Sequence, residues 1–73
     1  MTLQDAYDAH LAADHAWMDE IRRALPREWA GDVRYTHRAH GEPGTPLAAA
    51  YARYRETREA WESFLPGRER TAA

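Results

Sequence analysis

The sequence predicts an all-α protein: an antiparallel helical hairpin or small three-helix bundle, completed by self-association. Three observations predict it. Apolar residues recur at helical spacing over residues 3–25 and again over 46–65. Each run is bounded by helix start and stop signals. And the chain is short of the large aliphatic side chains that would close a core without help.

Residues 3–25 read as one amphipathic helix. Thr2 is placed to cap its start, Asp5 three residues later completes a capping box, and Pro26 stops the run. At about 100° per residue, Tyr7, Leu11, Met18, Ile21 and Leu25 share one stripe with Leu3, flanked by Trp17. Asp5, Asp8, Ala12, Asp19 and Arg23 fall opposite. The second helix begins with Thr45 as cap and Pro46 in the first turn, where its missing N–H costs nothing. Leu65-Pro66-Gly67 ends it. Its stripe runs from Leu47 through Tyr51, Tyr54, Trp61 and Leu65, while Ala48, Ala49, Ala50 and Ala52 favour helix and let a neighbour come close.

Residues 26–45 support two readings. As a strand, Val33, Tyr35, His37 and Ala39 alternate between Gly31-Asp32 and Gly41-Glu42, but no partner strand is visible. As a short third helix over about 27–39, Trp29, Val33, Thr36 and His40 share a face and Gly41-Glu42-Pro43-Gly44 makes the turn. The helical reading is preferred, because a structureless connection of some 20 residues is unusual in a compact domain. Residues 1–66 then form a single domain, and 67–73 a flexible tail.

Composition narrows the function. Fifteen of the 73 residues are Ala, whereas Leu, Ile, Val and Phe together number eight. Eight aromatics restore much of the missing apolar area. There is no Cys, which removes disulfides, thiolate metal sites and cysteine nucleophiles. No apolar run approaches the ~18 residues needed to span a bilayer. The N-terminus lacks the basic-then-apolar pattern of a signal peptide, so a cytoplasmic chain is expected. All ten basic residues are Arg; net charge is −2 and the pI is near 6.0, an acid–base balance that disfavours a surface devoted to nucleic acid.

One polar cluster interrupts both stripes. His10 and Asp14, one turn apart, lie on the apolar face of the first helix, and Arg58 lies between Tyr54 and Trp61 on the second. Their heights along the helices match, which predicts an ion pair between Asp14 and Arg58 with His10 and one or both of Tyr51 and Tyr54 nearby. A structural polar layer is the first reading, since buried charges persist only when paired. A ligand site, with Arg58 on an anion, is the second.

Metal, nucleic acid and catalysis are weaker prospects. His10, Asp14, His37 and His40 are the candidate metal ligands, but they make an incomplete set, so no cofactor is expected. Residues 13–21 resemble the opening helix of hemerythrin-like and DinB-like metal bundles; the likeness covers under a third of the chain, the further ligand motifs are absent, and no membership follows. Arg22, Arg23, Arg27, Arg34 and Arg38 with Trp29 and Tyr35 make the middle locally basic, though Asp19, Glu20, Glu28 and Asp32 lie among them. No phosphate loop, dinucleotide fingerprint, zinc-protease motif or nucleophile elbow occurs.

The expectation is therefore a small non-enzymatic accessory or regulatory protein acting by protein–protein contact, with itself and with another protein. Trp17, Trp29, Trp61 and Phe64 are the expected interface residues. A ligand- or metal-binding oligomer built on His10, Asp14 and Arg58 is the alternative, and a weak nucleic-acid binder the second.

Overall fold

A computed structural model describes residues 1–66; the expected flexible tail lies outside them. Two long helices, α1 (Leu3–Ala24) and α3 (Pro46–Glu62), pack against each other along their length. Between them come a single helical turn, α2 (Ala30–Val33), and a 3-10 turn (His37–His40). Among the described residues there is no strand. Tyr7 meets Trp61 and Trp17 meets Tyr51, so the two long helices run antiparallel.

The expected caps form. The Thr2 hydroxyl accepts from Asp5 N–H at 3.1 Å, and the Asp5 carboxylate accepts from Thr2 N–H at 3.2 Å. The Thr45 hydroxyl accepts from Ala48 N–H at 3.1 Å, with Pro46 next in the first turn. Such a cap contributes about 1 kcal/mol. Helix α3 stops three residues before the expected limit. The Phe64 and Leu65 N–H groups bond to carbonyls only three residues back, Trp61 and Glu62. Pro66 disfavours helical backbone at Leu65, and the last turn tightens accordingly.

The middle segment is neither the continuous helix nor the strand expected of it. Trp29 and Thr36 both take extended backbone, which breaks the run into two short turns. Bonds of three-residue span, such as Thr36 N–H to Val33 O and Ala39 N–H to Thr36 O, turn the chain tightly. The segment lies across one end of the hairpin. Ala30, Val33 and Ala39 close there on Trp17, Ile21 and Leu47 to make the core. Met18, Leu25, Ala50, Tyr51 and Tyr54 pack against it, half-buried.

Among the described residues Ile21 is the one large side chain removed wholly from solvent. Burying such a side chain is worth ~1.5–3 kcal/mol, so the core is thin. The expected α1 stripe is also displaced. Its buried line runs through Ala6, Ala13, Trp17 and Ile21, while Leu3, Tyr7 and Leu11 stay exposed. Ala6 and Ala13 face α3 in the buried line, and the bulkier Leu3, Tyr7 and Leu11 fall on its flank. The middle segment covers this flank at Met18 and Leu25 but does not extend to Tyr7 or Leu11. One end of the molecule has three layers, and the other has two.

Candidate functional site

A run of aromatic rings follows the seam between α1 and α3. Trp61 stacks on His10, with centroids 5.4 Å apart and planes at 9°. His10 meets Tyr54 at 5.2 Å, Tyr54 meets Trp17 at 4.5 Å, and Trp17 meets Tyr51 at 5.1 Å. Tyr51 is stacked by His40 at 4.2 Å, and His40 meets His37 edge-on. Neighbouring aromatic pairs contribute ~0.5–1.5 kcal/mol beyond the area they bury, which offsets part of the aliphatic deficit.

The charge at the centre of this run belongs to Arg34. Its guanidinium donates to the Asp14 carboxylate at 2.5 Å. It also lies 5.1 Å from the Trp17 ring, 5.7 Å from Tyr35 and 5.8 Å from Tyr54, within the range of cation–π attraction. Burial opposes the Arg34 cation, but the hydrogen bond and charge of Asp14, with Tyr54 beside it, outweigh that and raise its pKa above the ordinary guanidinium value. A raised folded-state pKa stabilises fully below the unfolded value and is lost only as pH climbs through the folded one. The cation therefore does not switch near neutrality.

This corrects the expected pairing of Asp14 with Arg58. Arg58 instead places its Nε 3.5 Å from Glu62, one turn along its own helix, with 55% of its side chain exposed. Matching heights along two helices put Arg58 near the layer, but Arg34 enters from the middle segment between the rings and takes the carboxylate. Tyr54 stands beside the Asp14–Arg34 pair, and Tyr51 lines the same cleft as Arg34.

His10 is held differently. Its Nδ1 is 3.4 Å from the hydroxyl of Thr57, which is buried and donates its own proton to the Arg53 or Tyr54 carbonyl, each at 3.0 Å. With the Thr57 proton on a carbonyl, Nδ1–H is the donor in this contact; the tautomer sets the roles. Thr57 was not legible as a site residue, since its signal is only a β-branched hydroxyl on the buried face of α3.

The expected interface residues divide. Trp17 is 3% exposed and belongs to the core, where its indole N–H donates to the Ala39 carbonyl at 2.9 Å. Trp61 is half-buried on His10. Trp29, 77% exposed, and Phe64 do face solvent. The candidate metal ligands are not gathered: among the described residues no group of three or more His, Asp or Glu could hold an ion.

Two concavities open on the aromatic run. One, of about 160 Å³, lies where Arg34 and Arg58 converge beside Trp17, Tyr51 and Tyr54. The other, about 320 Å³, continues along α3 past Arg55 and Glu59. No described helix is long and apolar enough to cross a membrane. Comparison with protein-family models, with curated proteins and with solved structures finds no match to this chain.

Proposed function

We propose that this chain is a non-enzymatic interaction module that works as a homo-oligomer, a second copy covering the two-layered end of the hairpin. The observation that carries this reading is the exposure of Leu3, Tyr7 and Leu11 on α1 together with Phe64 just beyond α3, at one end of the molecule. The same flank of α1 is covered wherever the middle segment reaches it. A thin core adds force to the reading, because cores of this size rarely supply more than ~3–5 kcal/mol and association adds to it.

Charge favours one geometry. The first twenty residues hold Asp5, Asp8, Asp14, Asp19 and Glu20 and no Arg, whereas α3 balances Arg53, Arg55 and Arg58 against Glu56, Glu59 and Glu62. Two α1 flanks face to face would oppose carboxylates. Laying α1 of one copy on α3 of its partner, and the reverse by two-fold symmetry, sets the acidic helix against a charge-balanced one and avoids that opposition. Such a pairing serves an accessory protein that presents its remaining surface, Trp29 included, to another protein.

Sedimentation equilibrium across micromolar to millimolar concentrations is the test. A reversible dimer that Leu11→Gln dissociates supports the reading, and a monomer throughout rejects it.

A further inference from the structure

We infer that the cleft between Arg34 and Arg58 is a binding site for a small single-ring aromatic carboxylate. The inference does not require self-association, since the cleft is formed within one copy by α1, α3 and the middle segment.

The chemistry of the walls selects the ligand. The charged side chains lining this cleft are both guanidinium groups, Arg34 and Arg58. Between them stand the rings of Trp17, Tyr35, Tyr51 and Tyr54, with His40 stacked on Tyr51 at 4.2 Å. A bare inorganic anion would satisfy the cations and leave the rings unused. A neutral ring would stack and leave the cations unused. A planar carboxylate on one ring uses both, through charge-assisted bonding to a guanidinium and contact with the aromatic walls. Size agrees: about 160 Å³ is close to the roughly 150 Å³ cavity that holds a benzene ring.

The two arginines divide the work. Arg34 is fixed by Asp14 and seated over Trp17, so it needs no reordering when a ligand arrives. Arg58, 55% exposed in its pair with Glu62, is the solvent-facing partner whose planar fork turns onto the ligand carboxylate. Tyr35, 84% exposed beside Arg34, stands at the mouth, placed to cover the bound ring.

Titration of the isotope-labelled protein with benzoate, followed by NMR at the Trp17 indole N–H and the arginine Nε–H groups, tests this. The expected result is saturable shifts at Trp17, Arg34 and Arg58, with affinity reduced about tenfold or more in Arg58→Gln, as loss of a charge-assisted bond implies. Arg58 is chosen because its exposed side chain is not needed by the core; an unchanged spectrum elsewhere verifies the fold. Benzyl alcohol and inorganic phosphate should each bind far more weakly than benzoate. No saturation with benzoate, equal binding of benzyl alcohol or of phosphate, or an Arg58→Gln protein that binds as well as the parent would each overturn the proposal.

Discussion

The Trp17 indole donates its N–H to the Ala39 carbonyl at 2.9 Å, across twenty-two residues of sequence and within the core. This bond ties the middle segment to the hairpin at a point where water cannot substitute. It also orients the ring that Arg34, Tyr51 and Tyr54 all meet. A side chain expected at an interface is thus the internal post of the fold.

Trp17→Phe keeps an aromatic ring but leaves the Ala39 carbonyl buried without its donor. The loss expected is about 2 kcal/mol, the usual cost of an unsatisfied buried group. Urea denaturation measures it, and hydrogen exchange should show faster opening at Val33, Arg34 and Ala39 than along α1. A change below ~0.5 kcal/mol would mean that the bond contributes nothing net.

The Asp14–Arg34 pair is half-buried and hydrogen-bonded, so removing one member strands the other. Asp14→Ala and Arg34→Ala should each destabilise by about 1–3 kcal/mol, and the double variant by less than their sum. Arg58→Ala should cost no more than ~0.5 kcal/mol, as its pair with Glu62 is exposed. Arg34→Lys should not rescue, because an ammonium lacks the planar surface that lies over Trp17. Additive energies for the two alanine variants, or a large cost at Arg58, would return the pairing to the one that helix heights alone suggest.

These residues also mark the limit of what was legible in the sequence. Thr2, Asp5, Thr45 and Pro46 act locally, within three residues, and the helix starts they imply are those observed. The break in the apolar stripe at Asp14 was likewise legible, since an ionised group on an apolar face demands a partner. Which arginine answers it was not, because that depends on where residues 26–45 are laid, and their two short turns are set by tertiary contacts of Val33 and Ala39 rather than by periodicity. The displaced stripe on α1 has a similar cause: a hydropathy pattern weights Leu11 above Ala13, whereas close packing favours the smaller residue.

Gly41 and Gly44 both have positive φ, at 79° and 87°, but they differ in surroundings. A Cβ on Gly41 would sit 2.5 Å from the Ala48 backbone nitrogen in the first turns of α3, whereas one on Gly44 would meet nothing within 4 Å. Gly44→Ala should therefore cost only the backbone strain, about 1–2 kcal/mol. Gly41→Ala adds a clash with helix backbone that no rotamer relieves, and should cost ~3 kcal/mol or more, enough to unfold a thin-cored protein. Thermal melts of the two variants side by side decide it; equal losses would mean that the loop shifts freely off α3.

Self-association can be tested for its geometry as well as its existence. Leu11 is 38% exposed, so Leu11→Gln should leave the helical signal and the monomer's unfolding profile almost unchanged while weakening the dimer at least about tenfold, the effect of losing an apolar anchor worth more than ~1.4 kcal/mol. Charge then reports which helices meet. Asp8 on α1 and Arg55 on α3 are both exposed. With α1 laid on the partner's α3, Asp8→Arg alone and Arg55→Glu alone should each weaken the dimer and slow its formation, and the double reversal should restore much of the loss. If α1 instead met α1, Asp8→Arg would strengthen association by removing facing carboxylates, and Arg55→Glu would leave it unaltered. Sedimentation of the four proteins at low salt, where surface charge is least screened, separates the two arrangements.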